Sequence, residues 1–489
     1  MNRIRAHKAD FAAGLVLVLG GLWHWVGRPE TVVNLHPFRQ TQTLWPIREF
    51  IDGGWSLATP MPVLGPPWNV PFEFPLFQFL AGALGSVTGF EAEPAARLVS
   101  LALFLLAGLA LLYIVRAWFG AIAGLATTAL FVLSPFANQW AAATLMEYVP
   151  VAFTLWALAV LVWLQRSTDR FWIAVPLAAA FSTIAAMVKV TTFLPWVPVV
   201  LVALTLAVGG VFQRRFVLGF LAIFLPAGVG TLAWTRYADA IKSQSELTNW
   251  LTSSNLPDWN FGTLSQRLVV DNTATIFDRM SSLGAPVVVW AVAVVIAGVA
   301  TRWSWQFVSV AVVPFIAVAV FFNLYLVHDY YLAAISPSFS AVVGVAVGVV
   351  AERLTDRRTR IGFVLVMIPG LLIASLLSGE GRRLAEVWRA PSVIPALSTS
   401  IAEVTEADDV VLVLGCDWDP TVLYYADRRG VSVPASWEGP LPEASLDVVT
   451  FVTVCEGLYE PGSQVLGDFV PDSWVLEQVN PGVWRVNSK

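Results

Sequence analysis

The chain has 489 residues, of which 57% are hydrophobic and only 13% charged, and its mean hydropathy is +0.69. A soluble domain of this size carries about a quarter charged residues, so the composition excludes a soluble enzyme and points to a polytopic α-helical membrane protein. The net charge of −5 identifies no partner, because much of the acid lies in the C-terminal part, and nothing indicates nucleic acid.

The first apolar run, Phe11 to Val26, follows a basic start and resembles a signal peptide in length. No small-residue cleavage site follows it, and "LWHWVGRPE" carries two tryptophans instead, so the run reads as an uncleaved first span. About eleven spans follow from hydropathy, each close to the 17–25 residues that cross a hydrocarbon core as a helix. They run roughly 9–27, 94–115, 119–136, 147–164, 171–188, 191–209, 215–235, 284–301, 304–322, 329–350 and 361–379. With the N-terminus inside, every inner loop is short and basic: Arg116, then Arg166 and Arg170, Arg214 and Arg215, Arg302, and the cluster from Arg353 to Arg360. All long segments then face outward: 28–93, 236–283 and the tail from about 380.

The first outer loop opens with "NLHPFRQTQTLWPIREF". Leu44, Ile47, Phe50 and Ile51 recur at helical spacing, which predicts a short amphipathic helix on the outer surface. A second helix, Pro75 to Val87, is expected after the Pro-rich "GPPWNVPFEFP". The transmembrane domain is thus expected over 1–379 and a small extracytoplasmic α/β domain over 380–489. In that tail "DDVVLVLG" and "LDVVTFVTV" read as strands, with "PTVLYYADRRG" as a short helix stopped by glycine. "GCDWDP" lacks the spaced glycines of a phosphate loop. Two cysteines, Cys416 and Cys455, make no disulfide framework, and the sequence leaves open whether they pair.

Outside the inner loops, ionisable groups are few and fall at or near the outer ends of spans: His36, Arg39, Glu73, Glu147, Lys189, Arg236, His328 and Asp329. Such groups are expensive near a membrane and mark function by default. Carboxylates can act as a general base or hold a metal, and cations can neutralise a phosphate leaving group. Simpler readings exist too. Glu73 and Glu147 can cap the helices they precede, and Lys189 can snorkel to the headgroups.

Taken together, the motifs resemble the GT-C superfamily of membrane glycosyltransferases, the group containing protein O-mannosyltransferases and the aminoarabinose transferases of lipid A. "EFPL" (Glu73–Leu76) is similar to that group's acidic turn, "LMEYVP" (Leu145–Pro150) to its second acidic motif, and "KVTTFLP" (Lys189–Pro195) to its lysine motif. "HPFRQTQT", "HDYYL" and "DWDPTVLYYADRRG" look most like a bacterial subgroup of dolichyl-phosphate-mannose-transferase-like proteins. The resemblance runs the length of the chain.

It implies an all-α polytopic GT-C-like bundle in the cytoplasmic membrane. The activity it implies is transfer of a sugar from a polyprenyl-phosphate donor to an acceptor hydroxyl on a glycan, lipid or protein at the outer face, with inversion. Where the family has an Asp-Glu pair in the first loop, this chain has Arg39-Gln40. The base therefore falls to Glu73 or Glu147. Arg39, with His36 and Gln40, would bind the donor phosphate and sugar, joined by Lys189, Arg236, His328, Asp329 and Tyr330. Two acids and a histidine can hold a divalent metal or none, so no cofactor is assigned. The alternative is a transporter or flippase for polyprenyl-linked lipid without transferase chemistry. Such folds show internal repeats and polar groups at mid-membrane, and neither is evident here.

Overall fold

The apolar runs fold as helices. A computed structural model describes residues 2–455, 469, 471 and 473–487. Among the described residues, five helical stretches are long and apolar enough to cross a membrane: Lys8–Val26, Ala92–Phe119, Thr168–Val208, Arg214–Lys242 and Arg357–Leu376. Five shorter apolar helices accompany them, Leu76–Thr88, Ala121–Leu133, Tyr148–Leu164, Val287–Ala300 and Trp305–Val320. The 41 residues of Thr168–Val208 would measure about 60 Å as one straight helix, twice the hydrocarbon thickness. They do not run straight. The helix Phe171–Phe193 is broken at Lys189, whose backbone is extended at φ −158° and ψ 93°, and a 3-10 turn at Leu194–Trp196 leads into Val197–Val208. Both halves pack on Tyr148–Leu164.

The chain divides into two compact units. The first comprises Met1–Arg28, Arg97–Trp234 and Pro257–Ala390. A close crossing joins the helix Ser336–Arg353 to Ala121–Leu133, and glycine makes it possible. A Cβ on Gly344 would lie 2.5 Å from the backbone nitrogen of Thr127, and one on Gly348 would lie 2.8 Å from that of Ala123. Small residues four apart let helix backbones touch, the usual solution where lipid provides no hydrophobic drive.

The second unit gathers three separate stretches, Pro29–Ala96, Thr235–Leu256 and Pro391–Lys489. Its centre is a five-stranded sheet: β1 (Val410–Leu414), β2 (Arg429–Ser432), β3 (Phe451–Val454), β4 (Leu476–Asn480) and β5 (Val483–Val486), in the order β2-β1-β3-β5-β4. β1 pairs in parallel with β2 and β3, whereas β5 runs antiparallel to β3 and β4. The expected α/β tail is present. β1 is apolar at every position and wholly buried, as a central parallel strand should be. The helix Thr421–Ala426 follows it, and the left-handed residue that stops this helix is Asp427 (φ 55°), ahead of the expected Gly430. Cys416 and Cys455 are disulfide-bonded, joining the chain just after β1 to the end of β3.

The first outer loop is built into this sheet. Residues 62–65 run along the free edge of β2, with Leu64 bridged antiparallel to Val431. The Ser432 N–H donates to Val63 O at 2.8 Å, and that of Gly430 to Pro62 O at 2.9 Å. An edge that would otherwise present unpaired backbone is thereby covered.

The helix expected in "HPFRQTQT" forms as Pro37–Ile51, with Pro37 at its first turn and His36 left-handed before it (φ 47°). It does not lie on the surface as its apolar spacing predicts: every residue from Gln40 to Ile47 is buried. Its polar side chains are satisfied locally. The Gln40 amide donates to Leu35 O at 2.7 Å and Val32 O at 3.3 Å, Thr41 Oγ1 to Pro37 O at 2.8 Å, and Thr43 Oγ1 to Arg39 O at 3.0 Å. A hydrogen-bonded polar group can be buried at little cost, so a polar face need not be a wet face. The second expected helix is observed at Leu76–Thr88 and packs against Pro37–Ile51.

Candidate active site

In the second unit, Arg39 and Glu73 form an ion pair, their side chains 13% and 19% exposed. Arg39 sits in the first turn of Pro37–Ile51, and Glu73 lies in the turn before Leu76–Thr88. Arg39 Nη1 also donates to Gln42 Oε1 at 2.5 Å. Glu73 does not cap the helix it precedes. That position belongs to Pro75, which makes no capping bond. A second cation stands close by. Lys242 Nζ is 5.4 Å from the centre of the Phe72 ring, 3.1 Å from Asp239 Oδ1, and donates to Leu251 O at 2.7 Å. Arg236 lies on the same helix, Arg214–Lys242, and is exposed. His36 and Gln40 flank Arg39, Gln40 with its amide nitrogen committed to the turn before the helix.

The tail meets this site directly. Trp418 receives the edge of Phe38 at 4.6 Å, stacks with Phe72 at 5.9 Å, and meets Trp250 edge-on at 5.8 Å. Asp419 Oδ1 accepts from Thr421 N at 2.8 Å and Thr421 Oγ1 at 2.5 Å, and Thr421 Oγ1 is 3.2 Å from Thr41 Oγ1. Burial pushes the Asp419 carboxyl above the usual carboxylate range, more than the Thr421 bonds pull it down. One turn further on, Arg48 donates to Tyr424 O at 2.9 Å and to Asp427 Oδ1 at 2.8 Å. Thus two motifs far apart in sequence, "HPFRQTQT" and "DWDPTVLYYADRRG", fold against one another.

In the first unit, Glu147 and Lys189 form a buried ion pair, with side chains 4% and 5% exposed. Lys189 does not snorkel, and Glu147, which precedes Tyr148–Leu164, makes no capping bond. Glu147 Oε2 is buried without a hydrogen-bond partner. The Lys189 ammonium lies 4.0 Å from the centre of the Tyr331 ring and 5.6 Å from that of Tyr330. An ammonium over a ring face is attracted by the ring quadrupole. His328 stacks on Tyr330 at 4.9 Å and meets Trp259 at 5.6 Å. Asp329 is bound by Arg383, which is also bound by Glu380.

The ten residues singled out in the sequence therefore fall into two groups. The structure brings His36, Arg39, Gln40 and Glu73 together in one unit, with Arg236 on another element of it. In the other unit it brings together Glu147, Lys189, His328, Asp329 and Tyr330. Sequence reasoning missed Lys242, Tyr331, Trp418, Glu380 and Arg383. Two had a signal. Lys242 ends an apolar helix three residues after an acid, and Glu380 and Arg383 have the i, i+3 spacing of a helical ion pair. Among the described residues, no group of three or more His, Cys, Asp and Glu side chains is placed to hold a metal.

Long apolar helices and a mixed sheet make up a chain whose fold is that of GT-C glycosyltransferases of known structure. Among solved structures, the chain is similar to the aminoarabinose transferase ArnT from Cupriavidus metallidurans bound to undecaprenyl phosphate. The match covers 96% of this chain and 97% of that one, with a TM-score of 0.64 and 14% identity. It is also similar to the archaeal oligosaccharyltransferase AglB from Archaeoglobus fulgidus, in complex with an inhibitory peptide and a dolichol-phosphate (TM-score 0.58, 11% identity, 91% of this chain and 69% of that one). A third likeness, to the arabinofuranosyltransferase AftD from Mycobacteria, covers 96% of this chain but 37% of that one (TM-score 0.52, 15% identity). At these identities the likeness is one of fold. No family model matches the chain, and no curated protein matches its sequence.

Proposed function

We propose that the chain is a glycosyltransferase. It moves a sugar from a polyprenyl-phosphate donor to an acceptor hydroxyl at the outer face of the cytoplasmic membrane, with inversion at the anomeric carbon. One observation carries the reading beyond fold: each candidate carboxylate is held by a cation of the kind that grips phosphate, Glu73 by Arg39 and Glu147 by Lys189.

The chemistry then runs as an exchange of partners. The donor phosphate, a monoanionic diester with two free oxygens, draws Arg39 or Lys189 to itself, and the draw strengthens as the leaving phosphate gains its second charge. The released carboxylate is free to take the proton of the acceptor hydroxyl as its oxygen bonds to the anomeric carbon. The bond from that carbon to the phosphate oxygen breaks, and its electron pair leaves on the polyprenyl phosphate, where the cation stabilises it. Tyr330, His328 and Asp329 order the surroundings of Lys189. His36 and Gln40 shape the turn that presents Arg39, and Arg236 adds positive charge.

The topology belongs to the same proposal: eleven spans, the N-terminus cytoplasmic and the sheet-bearing tail outside. Short basic inner loops support it. So does the Cys416–Cys455 disulfide, since such bonds persist in oxidising compartments.

The test uses the full chain purified in detergent with radiolabelled undecaprenyl-phosphate mannose or arabinose and a membrane extract as acceptor. Loss of sugar from the carrier that is abolished by Glu73→Gln or Glu147→Gln, and by Arg39→Ala, is the expected outcome. Carrier binding with no turnover in the wild type would replace the proposal with a lipid-binding or transport role.

A further inference from the structure

We infer that Trp418, in the tail, is a positioning residue that sets the geometry of the Arg39–Glu73 pair; what the pair does rests on the transferase reading above. Arg39 and Glu73 stand on different segments of the first outer loop, so their alignment must be imposed from outside either one. The residues immediately before them in sequence are Phe38 and Phe72, and both pack on the same indole. Phe38 meets it edge-on at 4.6 Å with an interplanar angle of 89°, and Phe72 stacks at 5.9 Å and 27°. The Trp418 ring is thus a rigid spacer between the backbone that carries the guanidinium and the backbone that carries the carboxylate.

The spacer is itself fixed. Two residues before it, Cys416 is disulfide-bonded to Cys455 at the end of β3. On its other side Asp419 ties down Thr421, and the Thr421 hydroxyl reaches Thr41, two residues after Arg39. Trp250 closes the edge of the ring at 5.8 Å. Trp418 is not one of the aromatics that finish the sheet: its buried core, Val410, Leu412, Val431, Val452 and Leu247 among others, is flanked instead by Trp68, Trp437, Trp474 and Trp484. The tail is accordingly part of the site it adjoins.

Two measurements on the full chain in detergent test this. In hydrogen exchange, Trp418→Ala should speed amide exchange over residues 37–43 and 71–76 together, while Trp418→Phe leaves most protection in place. In transfer from undecaprenyl-phosphate mannose or arabinose, Trp418→Ala should lower kcat by ~10- to 100-fold, the scale of a misplacement near 1 Å. The donor KM should change much less, and Trp418→Phe should restore most of the rate.

Unchanged exchange in Trp418→Ala overturns the inference, as does wild-type turnover by that variant. A wild type that transfers no sugar, yet shows the paired loss of protection in Trp418→Ala, overturns the transferase reading and leaves the positioning role standing.

Discussion

Replacing Arg383 by methionine should take a guanidinium away from two buried carboxylates. Its partners Asp329 and Glu380 are 2% and 5% exposed, whereas the Arg383 side chain is 42% exposed. Arg383 Nε donates to Glu380 Oε2 and Nη2 to Glu380 Oε1, both at 2.7 Å, and Nη2 also reaches Asp329. Glu380 first, then Asp329, holds the guanidinium charged well above the usual arginine range. Removing one partner of a buried ion pair costs ~3–5 kcal/mol, because the charge left behind is desolvated and unpaired. Arg383 is itself two-fifths in water, so its attraction is already screened. The lower end, about 3 kcal/mol, is the appropriate expectation. The assay is the thermal midpoint of the full chain at fixed detergent concentration. Arg383→Met should lower it clearly, and adding Asp329→Asn and Glu380→Gln should recover most of the loss, since no charge then remains to be compensated. A single variant as stable as wild type, or a triple variant less stable than the single, would refute the reasoning.

The remaining expectations follow the same logic. Lys189→Met leaves Glu147, 4% exposed, without its ammonium, and should cost ~3–5 kcal/mol by thermal midpoint, with Glu147→Gln in the same chain restoring most of it. Asp419 has a native pKa above its unfolded value, so its contribution to stability is present at acid pH and is lost as pH rises through that elevated value. Asp419→Asn should therefore flatten this part of the stability–pH curve, and the variant should gain on wild type at pH 7 relative to pH 4. The Cys416–Cys455 bond spans a sequence separation of 39. Closing such a loop lowers unfolded-state entropy by the equivalent of about 4 kcal/mol. A reductant should lower the thermal midpoint of wild type and leave unchanged that of the variant with both cysteines replaced by serine.

The parts of the fold governed by local rules were legible in the sequence. Apolar length marked helices, and β-branched runs bounded by polar residues marked β1 and β3. The character of the 37–51 helix was not legible, for a specific reason. Its apolar spacing was read on the premise that glutamines and threonines face water. Gln40, Thr41 and Thr43 instead bond to carbonyls of their own or the preceding turn, so the polar side is buried along with the apolar one. The break at Lys189 was half legible, as a short gap between two hydropathy peaks, but not the extended backbone that turns the lysine toward Glu147. Trp418 lies within the quoted "DWDPTVLYYADRRG", but nothing there singles it out. In a chain with 22 tryptophans a single indole is unremarkable, and only three-dimensional packing shows that it touches the neighbours of both Arg39 and Glu73.

What the sequence could least convey is charge pairing. It shows a set of outer acids and cations, and invites the inference of a basic cavity waiting for phosphate. In the structure Arg39, Lys189 and Arg383 are each bound to carboxylate, and Arg383 to two. A cation already paired offers a phosphate less net attraction than a bare one, because the exchange must release the carboxylate it held. That apparent weakness is a means of discrimination. A carboxylate from bulk solution gains nothing by displacing Glu73 from Arg39, whereas the donor phosphodiester, equally a monoanion, gains a second charge as it leaves, and the cation then holds it more strongly than it held the carboxylate. Under the proposed chemistry the same displacement frees the base only when the leaving group is in place, which couples donor binding to activation of the acceptor.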